Sequence, residues 1–133
     1  MKRLFLFGLL ALVISGCDFY VVEPAYDSRD RITGHYDAEE YSETYNDRIY
    51  YSIYIAKSAS RDRVYIDNFY GSDIRVFAIV DYDRITIPYQ VVDGYEIEGV
   101  GTFYGHYLSL NYRVKDIYNN SYTDFCETEA TRY

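Results

Sequence analysis

From residue 32 onward, β-branched and aromatic residues alternate with polar ones in short runs broken by Gly, Asn and Asp. A period of two matches the pleat of a strand and cannot make one apolar face on a helix, so the chain is confined to an all-β fold. The runs predict strands over residues 32–44, 48–57, 63–69, 74–80, 84–92, 95–104, 107–114 and about 122–130. Asp93-Gly94 is the clearest hairpin signal, because a type I′ turn needs the positive φ that Asp and Gly tolerate. Asn46-Asp47 and Gly105-His106 are weaker signals of the same kind. Links this short pair successive strands antiparallel, and eight strands in an up-and-down meander suffice to close a small barrel.

Alternation also assigns the faces. Ile49, Ile53, Ile55, Val64, Ile66, Val76, Ala78, Val80, Ile85, Ile87, Ile97, Leu108, Leu110, Tyr112 and Val114 share the inward parity. Arg63, Tyr65, Asp67, Arg75, Thr86, Glu96, Glu98, Ser109, Asn111 and Arg113 share the outward one, as a wet surface requires. The same count turns Glu40 inward with Tyr36 and Ala38, and a slip of one residue would invert the whole strand. Gly99 and Gly101 fall at inward positions, where missing side chains let a sheet bend. Pro88 removes a ladder donor and predicts an edge or a bulge.

Ahead of the strands, Lys2 and Arg3 lead into an apolar block over residues 4–14 that ends in Ser15-Gly16-Cys17. Eleven apolar residues rise about 16 Å as a helix, roughly half a hydrocarbon core, which suits a signal segment and not a spanning helix. The run Leu12-Val13-Ile14-Ser15-Gly16-Cys17 resembles the lipobox of bacterial lipoproteins. That resemblance implies cleavage before Cys17, a diacylglycerol on its sulfur, and anchoring to the inner or outer membrane of the cell envelope, periplasmic or surface-exposed. Two or more acyl chains hold firmly where one binds marginally. The expected organisation is a signal peptide at 1–16, the lipidated cysteine and a disordered tether around Pro24 at 17–30, and a β-barrel domain at 31–133.

Without the signal, 11 basic residues face 21 acidic ones, a formal charge of −10. That balance excludes nucleic acid and anionic headgroups as electrostatic partners. With Cys17 committed to lipid, Cys126 has no disulfide partner and is expected to pack as a small buried hydrophobe. His35 and His106 lie in segments away from Cys126, and no Cys/His spacing fits zinc. Asp37, Glu39, Glu40, Glu43 and Asp47 are not forced by alternation into the paired geometry of a glycosidase. The Asp81-Tyr82-Asp83 turn falls short of the oxygens that calcium requires. No catalytic residue, metal or cofactor is therefore expected.

Tyrosine is the anomaly, with 19 in the chain and no tryptophan. Its ring suits interfaces and sugar stacking as well as cross-strand pairing. If the first two strands pair around Asn46-Asp47, Tyr41, Tyr45, Tyr50 and Tyr54 fall on one outer face beside Glu39 and Glu43, an aromatic and acidic strip.

The segments Ile32-Thr33-Gly34-His35-Tyr36, Val64-Tyr65-Ile66-Asp67-Asn68-Phe69, Ile85-Thr86-Ile87-Pro88-Tyr89-Gln90, Ile97-Glu98-Gly99-Val100-Gly101-Thr102 and Leu108-Ser109-Leu110-Asn111-Tyr112 resemble the small lipocalin-like lipoproteins of Bacteroidota. The resemblance implies a lipocalin-like barrel and carries no catalytic residue. Three functions follow as expectations. The first is non-enzymatic contact with a protein or glycan through the tyrosine strip. The second is carriage of a small apolar ligand at a barrel mouth lined by Tyr36, Ile53, Ile66, Val76, Ile97, Leu110 and Tyr112. The third is weak hydrolysis, or inhibition of a hydrolase by an acidic β surface.

Overall fold

The structure is a computed structural model that describes residues 20–119 and 122–133. The signal segment and Cys17 lie outside the described residues. The alternating runs become β1 (Gly34–Ser42), β2 (Asp47–Lys57), β3 (Arg63–Phe69), β4 (Ile74–Asp81), β5 (Arg84–Val92), β6 (Tyr95–Tyr104), β7 (Tyr107–Asp116) and β8 (Asp124–Arg132). Each strand pairs antiparallel with the next, and β8 returns to β1, so the sheet is a closed barrel without an edge.

Inward parity fills the barrel with one apolar cluster in which Ile55, Val64, Ile66, Val76, Ala78, Ile97 and Leu108 have no exposed surface. Arg63, Arg75, Thr86 and Asn111 stand outside and exposed. Charge outside and apolar residues within reverse the polarity of a membrane-spanning barrel. No helix among the described residues is long and apolar enough to cross a membrane.

Several expected boundaries move and one face assignment is corrected. The first strand ends at Ser42 because residues 43–46 form the turn, where Asn46 takes a positive φ of 49°. The last strand runs two residues later than expected, over Asp124–Arg132. Ile49 is 40% exposed, a correction to its interior assignment: its neighbour β3 pairs only with the Tyr54–Lys57 half of β2, leaving the other half at the rim.

The last residues of the expected tether belong to the folded body, which begins at Asp27. Asp27 caps a 3-10 turn over Ser28–Arg31, and Arg29 is buried with its guanidinium donating to the carbonyls of Ser58, Ser60 and Arg63. The Tyr36 hydroxyl donates to the Ile32 carbonyl at 2.7 Å, and Ile32 is fully buried. This plug seals the end of the barrel where the chain enters.

Gly99 and Gly101 are where the sheet turns tightly. A Cβ on Gly99 would lie 2.4 Å from the Tyr112 Cβ, and one on Gly101 would lie 2.3 Å from the Ser109 carbonyl oxygen, so β7 could not approach β6 so closely past any larger residue. The ladder between β5 and β6 slips between Ile87 and Gln90, the bulge that Pro88 predicts. Gln90 then mends the neighbouring seam, where β5 pairs with β4 only over Ile79–Asp81. Its side-chain amide accepts from the Phe77 N–H at 3.0 Å and donates to the Phe77 carbonyl at 2.9 Å.

Candidate functional site

Two acidic, tyrosine-lined regions stand out, one outside the barrel and one within its open end. The outer region is set by register. Across β7, β8, β1 and β2 one row reads Ser109, Glu129, Glu39, Tyr50, and the next reads Tyr107, Thr131, Asp37, Ser52. Tyr50 stands at one rim and Tyr107 at the other, and between them runs a groove of about 600 Å³ lined by Asp37, Glu39, Glu129, Tyr50 and Tyr107 among others. Tyr50 and Tyr107 are 72% and 65% exposed, so both rings are available for contact.

Glu39 sits directly opposite Glu129, and like charges in that relation destabilise a sheet. The groove offsets this only in part. Glu39 pairs with Arg48, and Glu129 accepts from the Ser109 hydroxyl at 2.6 Å. Asp37 accepts a longer bond from Ser52 at 3.2 Å. Cross-strand sterics alone do not ask for two glutamates here.

The inner region is built from residues far apart in the chain. Glu40, 1% exposed, receives the hydroxyls of Tyr51, Tyr112 and Thr128, all on Oε2. Asp124, 3% exposed, receives Ser42 on Oδ1 and Tyr70 on Oδ2. Neither carboxylate forms an ion pair among the described residues. The neighbours register these groups. Burial first, then the Glu40 charge, pushes the Tyr51 hydroxyl far above its ordinary pKa. Burial and then the bond to Asp124 do the same to Tyr70. Burial, followed by the charges of Glu40 and Asp124, holds the buried Cys126 thiol protonated at neutral pH, the opposite of what a nucleophile needs.

The structure distributes the sequence-predicted residues unevenly. Tyr50 lines the groove. Tyr54 lies on the same outer side but stacks on His35, with centroids 4.5 Å apart. Tyr41 is half-buried under the Arg48 guanidinium, and its hydroxyl donates to Asn46. Tyr45 leaves the strip altogether, since it belongs to the turn at the barrel mouth, and Glu43 goes with it. The seven residues expected to line a ligand mouth, Tyr36, Ile53, Ile66, Val76, Ile97, Leu110 and Tyr112, are at most 5% exposed and pack together in the core. They fill the barrel and do not surround an opening.

Sequence reasoning missed Tyr107, Glu129, Asp124, Tyr70 and Thr128. A usable signal existed for the last strand, where Asp124, Cys126, Thr128 and Ala130 alternate as a polar-to-apolar inward stripe. Among the described residues no group of three or more His, Cys, Asp or Glu is placed to hold a metal ion. The chain matches no protein-family model, and no curated protein is significantly similar to it.

Proposed function

We propose that this chain is a lipid-anchored protein of the bacterial cell envelope that performs no chemistry of its own and binds a partner through the outer groove of β7, β8, β1 and β2. The anchor rests on the run from Leu12 to Cys17 and the basic and apolar residues before it. The binding role rests on one observation above the others: Glu39 and Glu129 are cross-strand neighbours in a groove rimmed by two exposed tyrosines. Such a surface costs stability and is complementary to a cation. Of the partner classes, its carboxylates favour a basic protein segment over a neutral glycan, because a guanidinium can fork onto a carboxylate and lie flat on a tyrosine ring. The non-enzymatic reading is supported by the protonated Cys126 thiol. Carriage of an apolar ligand is disfavoured by the packed interior.

The test is binding of a hexa-arginine peptide to the full chain in detergent, followed by fluorescence anisotropy. Tyr50→Ala combined with Glu129→Gln is expected to weaken binding at least tenfold with an unchanged β circular-dichroism spectrum. Unchanged affinity would remove the groove from the account. For the anchor, Cys17→Ser should move the protein from the membrane fraction to the soluble one.

A further inference from the structure

We infer that the open end of the barrel is a binding site for a small organic ammonium ion, held between Glu40 and Asp124. The site is separate from the outer groove and does not depend on it. A cavity of about 280 Å³ opens there, walled by Glu40, Asp47, Asp124, Tyr45, Tyr70 and Ile49. It lies at the end opposite the Arg29 and Ile32 plug, since β1 enters the barrel at Gly34 and reaches the cavity at Glu40 and Ser42.

The decisive detail is one oxygen. All three hydroxyls that bond Glu40 use Oε2, and none uses Oε1. Among the described residues no side-chain oxygen sealed from solvent lacks a hydrogen-bond partner. Oε1 is therefore not sealed from solvent and accepts from no donor among the described residues, on a residue that is only 1% exposed and lines the cavity.

Charge points the same way. Glu40 and Asp124 are both buried at this end, and neither is ion-paired with a Lys, Arg or His among the described residues, whereas a buried carboxylate is expensive until it is paired. The hydroxyl donors around them are already committed to these carboxyls, so the complementary ligand is a cation that brings its own N–H donors. An ammonium ion supplies both. Tyr45 and Tyr70 put aromatic rings in the wall, a residue type that attracts cations, and Ile49 gives an alkyl stem an apolar contact. The volume suits a ligand of few heavy atoms and is below the range of drug-sized pockets. A calcium ion fits less well, because it takes six to eight oxygens and the hydroxyls here donate to the carboxylates.

Isothermal titration calorimetry on the full chain tests this, with 1,4-diaminobutane as probe and 1,4-butanediol as its neutral counterpart. The diamine should bind and the diol should give no heat. Asp124→Asn and Glu40→Gln should each weaken the diamine at least tenfold. Ile49→Lys, at an exposed rim position that leaves both carboxylates in place, should keep the fold, put a tethered ammonium in the cavity and abolish diamine binding. A capped lysine that binds more tightly than the diamine would identify the natural occupant as a lysine side chain, and the reverse order would identify a free amine. Equal heats for diamine and diol, diamine binding unchanged in Asp124→Asn and Ile49→Lys, or calcium chloride binding more tightly than the diamine would each overturn the inference.

Discussion

The outer groove and the inner cavity use the same two residue types, carboxylates and tyrosines, in opposite surroundings. On the outside, Glu39, Asp37 and Glu129 sit in water, where Arg48 and serine hydroxyls are adequate partners. Inside, Glu40 and Asp124 have lost nearly all their solvent and draw five hydroxyls onto themselves. Attraction that is screened to little at the surface is strong where water is excluded. The outer face can therefore change with little effect on the fold, whereas the inner one is part of what holds the barrel together.

The largest expected difference is between two tyrosines. Tyr112→Ala removes a ring that packs on Phe69 at 4.4 Å and strips a donor from Glu40, and should cost about 3–5 kcal/mol. Tyr50→Ala at the exposed rim should stay within about 0.5 kcal/mol. Urea melts of both variants check the pair, and similar losses would dissolve the contrast.

Alkaline pH should reach the inner region next. Burial holds Tyr51 and Tyr112 neutral in the fold, while in the unfolded chain they ionise near pH 10. A raised folded pKa means that the unfolded state binds fewer protons above pH 10, so stability is complete below that pH and falls as pH rises. The slope is about 1.4 kcal/mol per pH unit for each tyrosine. Denaturation between pH 9 and 12 should show it, and Tyr51→Phe should flatten it.

Smaller still is the loss of one bond to Glu40. Thr128→Val removes a 2.9 Å donor from a buried carboxylate and should cost about 1–2 kcal/mol. Its surface counterpart, Arg48→Ala, breaks a pair whose members are about half exposed. That change should cost less than about 1 kcal/mol and vanish in molar salt.

The same contrast governs how much could be read in the chain. The barrel was legible because alternation is a local property: Ile53, Ile55, Val64 and Ile66 declare their face without reference to any distant strand. Half of the groove was legible for the same reason, since Glu39 and Tyr50 are joined by one short turn. Its other half was not, because Glu129 and Tyr107 reach it only when β8 closes on β1, and closure is a property of the whole sheet. The cavity was hidden twice over. Glu40 had the right parity, but its partners Thr128 and Tyr112 lie 88 and 72 residues away. Arg29 was hidden by composition, because a polar stretch around Pro24 reads as a tether until its carbonyl partners on the β2 to β3 connection are known.

The central claim is that the barrel carries two independent acidic binding regions, one outside and one within its open end. The direct measurement is a crossed titration of the full chain, with hexa-arginine peptide and 1,4-diaminobutane against the Tyr50→Ala/Glu129→Gln and Asp124→Asn variants. The predicted result is that the first variant loses the peptide and keeps the diamine, while the second loses the diamine and keeps the peptide. Loss of both ligands in either variant, or of neither in both, would contradict it.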